Sequence, residues 1–191
     1  PDQDTRGVIT ADNGPQKGEQ ASALPFRGQK WSALEGGTRV PCIVSWPGVI
    51  PAGTESDMLI AAIDILPTLS RACGIDWKSK SSGKPPIDGL DLWDALLGKK
   101  DAPQRTELLH WHGMHPDPKA LRSGDWKLVL DPSEGHGKGT KAAPALYNLR
   151  EDPSETKDLS AANPELTATL TARLKELIDG IKAAPILPIS K

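Results

Sequence analysis

Long apolar runs are missing from this chain. No stretch of 18 apolar residues occurs, which excludes an α-helical membrane span. Cysteine is scarce, at two in 191 residues. Neither Cys42 nor Cys73 has a CxxC neighbour, so zinc-ribbon and thioredoxin-type chemistry is excluded. Both stand in apolar contexts, "VPCIVSW" and "LSRACGI", which predicts buried, inert thiols. An excess of one charge is also lacking. With 23 basic and 25 acidic residues the net charge is −2, so there is no electrostatic footprint for nucleic acid or an anionic membrane surface. Aromatics are sparse at 4%, yet six of the eight are Trp. No GxSxG, P-loop or GxGxxG motif is present, and no internal repeat.

Glycine and proline are abundant, 18 of each, and predict short elements joined by many loops. Residues 7–11, "GVITA", read as a short buried strand, and 40–47, "VPCIVSWP", as the next one. Residues 64–73 predict a helix with Asp64 as cap and Pro67 in its first turn. Ile65, Leu66, Leu69 and Cys73 share one face of it. Residues 77–86 are a polar excursion, and 88–98 a short helix capped by Asp88 or Asp91 and stopped by Gly98. "ELLHWHG", "ALRSGDWKLVL" and "ALYNL" then predict short strands, with "SGD" as a hairpin connection and "SEGHGKGTKAAP" as a loop. The last element is a helix over 164–182. Asn163 caps it, Pro164 takes its first helical position, and Leu166, Leu170, Leu174, Leu177 and Ile181 form its stripe. Residues 1 to about 100 thus read as α/β, and 105–182 as a small antiparallel sheet with one helix laid on it.

Three groups carry possible chemistry. In "ITADNGP", Asp12 and Asn13 supply hard oxygen donors at the end of a strand, suited to calcium or magnesium. A type I′ turn is the competing reading, but "PQKGEQ" offers no second hairpin arm. In "PFRGQKWSALEGGTRVP", Arg27 and Lys30 stand three apart in a loop. Lys30 beside a divalent cation suits an oxyanion substrate; a solvated lysine is the plainer alternative. In "HWHGMH", His110 and His112 fall on one face of a strand and Trp111 on the other. An exposed imidazole face with Trp111 in the core is the expectation, and a transition-metal site the alternative. His115 and His136 carry no pattern.

Taken in order, "ITADNGP", "PFRGQKWSALEGGTRVPCIVSWPGVIPAGT", "IDILPTLSRACGI", "IDGLDLWDALLG", "LRSGDWKLVL" and "LYNLREDPSETKDLS" closely resemble the C-terminal portion of type I (formylglycine-dependent) sulfatases, of the arylsulfatase type. The resemblance covers about residues 7–180. It implies the C-terminal part of an alkaline-phosphatase-like α/β sulfatase fold, with a small antiparallel sheet and a packed C-terminal helix. Residues 1–100 would belong to the large catalytic domain and 101–191 to the small subdomain. It assigns Asp12 and Asn13 as calcium ligands, with magnesium second, and Lys30 as the residue that contacts substrate sulfate and assists the leaving group. Glu35 and Arg39 it makes supports of that loop. Gln29 and Trp31 stand where glycines are frequent in the family. The implied activity is sulfate-ester hydrolysis of a sulfated small molecule or carbohydrate, at an extracytoplasmic site by family habit. The nucleophile motif C/S-x-P-x-R, source of the formylglycine, does not occur in these residues. The resemblance therefore implies a fragment, inactive alone, that needs the N-terminal half or self-associates. A phosphonate or phosphodiester hydrolase of the same superfamily, and a non-catalytic sulfatase-derived module, remain alternatives.

Overall fold

The computed structural model describes residues 6–16, 18, 20–76, 88–132 and 143–183. The expected excursion over 77–86 and most of the loop holding His136 lie outside the described residues. The chain forms two compact units. One holds residues up to Thr10 together with Cys42–Thr106; the other holds Ala11–Pro41 with the described chain from Glu107 onward.

In the first unit, β1 (Gly7–Thr10) and β2 (Cys42–Ser45) form a two-stranded antiparallel ribbon, with Gly7 opposite Ser45 and Thr10 opposite Cys42. The expected burial is not found. Ile9 is 69% and Ile43 59% exposed, because among the described residues the ribbon gains no further strand and no covering layer. A 3₁₀ turn, Ala62–Asp64, leads into α2 (Ile65–Ala72), α1 being Glu35–Thr38 in the other unit. The α2 stripe forms as expected but points outward: Leu66, Leu69 and Cys73 are exposed, while Pro67, Thr68 and Ser70 are buried. This corrects the expectation for the cysteines, since Cys42 and Cys73 both lie on exposed surface. Asp64 does not cap α2 through its side chain. Its buried carboxylate instead accepts the N–H groups of Ala61 and Leu90, at 2.9 and 2.7 Å, and the Arg105 guanidinium. Burial pushes the Asp64 carboxyl up, but Arg105 and the two N–H donors outweigh it and hold it below the usual value. The short helix α3 (Trp93–Leu96) starts where Asp91 Oδ1 accepts the Trp93 N–H and ends at Gly98, φ +73°.

The second unit is built on a four-stranded antiparallel meander, β3 (Glu107–His110), β4 (Ala120–Ser123), β5 (Trp126–Val129) and β6 (Ala145–Asn148), in that order. The Gly124-Asp125 connection sits between Ser123 and Trp126, with Gly124 at φ +57° as the tight turn requires. Period-two alternation sorts the side chains. Leu121, Leu128 and Leu146 face α4 (Pro164–Ala183) and pack on Leu170 and Leu174; Ile181 is 46% exposed and Ile178 packs against this cluster. Ala120, Val129, Ala145 and Tyr147 face the other way, onto Ala33 and Leu34.

Lys127 belongs to this second face and is fully buried. Its ammonium lies 2.8 Å from Glu35 Oε1 and 3.1 Å from Glu155 Oε1. Glu155 Oε2 also accepts the Glu35 N–H at 2.6 Å. One buried cation thus ties α1 to the sheet and to the 152–155 turn. Glu155 holds a left-handed backbone, φ +53°, to aim its carboxylate inward. Burial pushes its carboxyl up, Lys127 and the Glu35 N–H pull it down, and the Glu35 charge pushes it up again; the net direction is upward.

The segment so anchored approaches the turn after β1 at backbone contact. The Gly14 N–H donates to Gly37 O at 2.9 Å, and the Lys30 N–H to Pro15 O at 2.8 Å. A Cβ on Gly14 would stand 1.9 Å from Gly36 O, so no larger residue fits there.

Two outcomes follow from this anchoring. Lys127→Met should lower stability by about 3–5 kcal/mol, since two carboxylates lose their buried partner, as read by urea unfolding. Glu155 binds its proton more tightly folded than unfolded. Through this group folding is favoured below its ordinary value of 4.5, and that advantage is lost as pH rises through the raised value. Lys127 pulls that value down, so the deficit of Lys127→Met should shrink on acidification; a pH-independent deficit would contradict the ion-pair account. Gly14→Ala should cost roughly 2–3 kcal/mol by overpacking, whereas Gly7→Ala, with open space around its Cβ position, should change the unfolding midpoint little.

Candidate active site

Three polar side chains were expected to form the site, and the backbone clamp holds their segments together. Asp12 and Asn13 occupy the turn that follows β1, with Asp12 exposed and Asn13 half-buried. The Asn13 N–H donates to Asp12 Oδ1 at 3.0 Å, which fixes the carboxylate against its own turn. Lys30 is half-buried, and its N–H is bound to Pro15, two residues past Asn13. The turn and the lysine loop are therefore joined by backbone hydrogen bonds within one unit.

The lysine loop is shaped by its own sequence. Gly28 sits at φ +89° with Ser32 Oγ 2.8 Å from where a Cβ would be. Gly36 and Gly37 pass so close to the carbonyls of Arg27, Gly28, Gln29 and Ser32 that only glycine fits. Arg27, three residues before Lys30, is turned into the fold. It donates to Glu155 O and to Tyr147 Oη, the latter at 3.1 Å, with its guanidinium over the Tyr147 ring. Arg39 lies 3.7 Å from Glu35 Oε2 and stacks on Phe26. Glu35 and Arg39 thus support the loop. Lys30 Nζ stands 6.0 Å from the ring centroid of Trp31, whose φ is +80°.

The His-Trp-His segment reverses the expected sense. His110 is 7% and His112 5% exposed, while Trp111 is 45% exposed. The period-two alternation holds, but it is the imidazoles that fall on the inner face, the one on which Lys127 is also buried. Burial, with Lys127 and Arg122 adding, drives the His110 imidazole well below its usual value, so it is neutral. His115 is exposed. The Gly113 N–H donates to Trp31 O at 2.6 Å, which seats the loop after β3 on the lysine loop. Among the described residues, no group of three or more His, Cys, Asp or Glu gathers to hold a metal ion. A carboxylate and an amide oxygen suit a hard cation in kind, but are two of the six to eight oxygens calcium takes.

The residues missed in the sequence are Lys127, Tyr147 and Glu155. A lysine two positions from Val129 in a strand, in register with inward residues, was the available signal for a buried partner.

Similarity to known proteins bears on the same segments. The Sulfatase family profile matches residues 2–75, which include Asp12, Asn13 and Lys30. Arylsulfatase A of Bos taurus is 30% identical over 196 residues, covering 91% of this chain and 37% of that protein. N-acetylgalactosamine-6-O-sulfatase of Bacteroides thetaiotaomicron is 29% identical, covering 92% of this chain and 36% of its own length. The crystal structure of the PsFucS1 sulfatase from Pseudoalteromonas sp. superposes with a TM-score of 0.78 at 26% identity, over 98% of this chain and 39% of that one. The chain spans a little over a third of the length of these relatives. No helix among the described residues is long and apolar enough to cross a membrane. In sequence and in fold the chain is thus similar to sulfatases of the arylsulfatase kind, and corresponds to their C-terminal portion.

Proposed function

We propose that this chain supplies the sulfate-binding lysine and two calcium ligands of a sulfuric ester hydrolase. The observation that carries the reading is the paired contact of Gly14 N–H with Gly37 O and Lys30 N–H with Pro15 O. It fixes an oxygen-donor turn and an ammonium-bearing loop to each other before any ligand arrives. Preorganised charge of this kind is what an oxyanion reaction needs.

Lys30 would hold a sulfate oxygen and stabilise negative charge on the departing alkoxide or phenoxide. Its partial burial strengthens that attraction relative to bulk water. Asp12 and Asn13 would hold calcium, in preference to magnesium. When bound, the ion supplies charge neutralisation at the sulfate oxygens. The remaining ligands and the formylglycine would come from residues outside this chain, since it contains no C/S-x-P-x-R. The substrate is proposed to be a sulfated small molecule or carbohydrate, met at an extracytoplasmic site.

The exposed apolar surface supports a requirement for further chain. Ile9, Ile43 and Leu66 are each more than half exposed, and an open groove on α2 is lined by Ile65, Leu66, Leu69 and Cys73. The N-terminal part of the sulfatase is proposed to cover them.

In the intact enzyme, Lys30→Ala should lower kcat/KM for an aryl sulfate by roughly 100-fold or more; a loss under about threefold would remove Lys30 from the reaction. Calcium should raise the melting temperature, a chelator should lower it, and Asp12→Ala should abolish the difference. The 191 residues alone should not turn over an aryl sulfate and should self-associate; a catalytically active or cleanly monomeric chain at high concentration would contradict this.

A further inference from the structure

Among the described residues of the second unit, the exposed large apolar side chains are Leu24, Trp111, Met114 and Ile181, and Met114, at 88%, is the most exposed of them. Trp111 and Met114 fall in one short loop, 111–116, between β3 and β4. On a slack loop such exposure means little. This loop is tied at several points. The Lys119 N–H donates to His110 O at 2.8 Å across its base, and the His115 N–H to His112 O at 3.1 Å within it. The Trp111 indole N–H reaches Pro116 O at 3.4 Å. Gly113, at φ +58°, turns its N–H onto Trp31 O at 2.6 Å. Met114 follows Gly113 and Lys30 precedes Trp31, so the Cα atoms of Met114 and Lys30 lie no more than roughly 14 Å apart. Their side chains and a ligand between them can fill that distance. The loop is thus fastened beside Lys30, yet it leaves its longest unbranched apolar side chain in solvent.

We propose that Met114 is a specificity-determining residue, whose thioether side chain covers the apolar face of the organic group of a sulfate ester while the sulfate meets Lys30. The proposal rests on the sulfatase reading and deepens it. Methionine is unbranched and polarizable, so it adapts to a ligand surface that a stiffer side chain would meet in one shape only. An apolar contact on a tethered loop, set near a cation, matches an anion carried on a group with an apolar face. Pyranose and aryl sulfates share that chemistry; inorganic sulfate has the anion without the organic group. The contact holds the organic group in place, so its loss is felt on esters and spared on the bare anion. Met114 belongs neither to the Lys127 cluster nor to the leucine cluster beneath α4, so its truncation leaves the fold intact.

The test compares the intact enzyme with its Met114→Ala and Met114→Leu variants on an aryl sulfate and a sulfated monosaccharide, with inorganic sulfate as a competitive inhibitor. Met114→Ala is expected to lose about tenfold in kcat/KM on one or both esters, chiefly through KM. The inhibition constant of inorganic sulfate should stay the same, and Met114→Leu should restore part of the loss. The aryl and sugar arms identify which organic group the side chain serves. The melting temperature should not change. No loss on either ester, or an equal weakening of esters and inorganic sulfate, would overturn the proposal. So would a Met114→Ala enzyme that melts at much lower temperature, since Met114 would then be packed beneath another part of the enzyme. An unsubstituted enzyme inactive on both esters would instead fell the sulfatase reading and the proposal together.

Discussion

Lys127 carries the constraint on which the rest of the second unit depends. Its ammonium is removed from water entirely, and the loss of hydration is offset only if carboxylates meet it at close range. Those carboxylates come from α1 and from the turn after β6, so ionic satisfaction of one strand residue dictates where two distant segments lie. Apolar packing of Ala33 and Leu34 on the sheet would tolerate sliding. A lysine flanked by two carboxylates, one of which also accepts the Glu35 N–H, does not. The demand reaches Glu155 as backbone strain and Arg27 as a guanidinium drawn into the same knot.

With α1 fixed, the loop that precedes it has little freedom, and the glycines turn that rigidity into position. Gly36 and Gly37 give their surface over to carbonyl contacts, and Gly14 brings the Asp12–Asn13 turn onto Gly36 without intervening side chains. Spacing by backbone contact has a mechanical merit. It involves no rotamers, so the separation between the donor turn and the lysine loop does not fluctuate with side-chain motion. Lys30 and Lys127 thus divide two tasks that a sequence alone does not separate. One ammonium is locked among carboxylates and holds architecture; the other is left half-exposed on a stiff support.

Much of this was legible from residue order. The meander, the Gly124-Asp125 connection and the helix starting at Pro164 follow from alternation, turn chemistry and a four-residue leucine stripe. The supports Glu35 and Arg39 were legible through the family pattern. Burial was the weaker inference, and it failed in a consistent direction. β1, Cys42, Cys73 and the α2 stripe are apolar and were expected inside, yet they are exposed. Hydrophobic pattern reports which face needs cover, not whether cover lies within the same residues. The His110–Trp111–His112 alternation holds, but its burial sense is the reverse of the expected one. Local pattern assigns the larger apolar ring to the interior, while the two imidazoles fall in register with the face on which Lys127 is buried.

The same distinction bears on the metal. A calcium site gains affinity when several oxygen donors converge and their mutual repulsion is balanced by the ion. Asp12 and Asn13 are adjacent in sequence, so as proposed ligands they would approach a cation from one side. Asp12 Oδ1 is also engaged by the Asn13 N–H, which orients it but leaves fewer lone pairs for an ion. As the proposed ligands they would make a half-shell whose affinity would depend on what closes the other half. That closure would stabilise the assembled enzyme far more than this chain, because an ion that binds only the assembly contributes its binding free energy to the assembly. Metal binding, coverage of the apolar surface and completion of the reaction centre would then be a single coupled event.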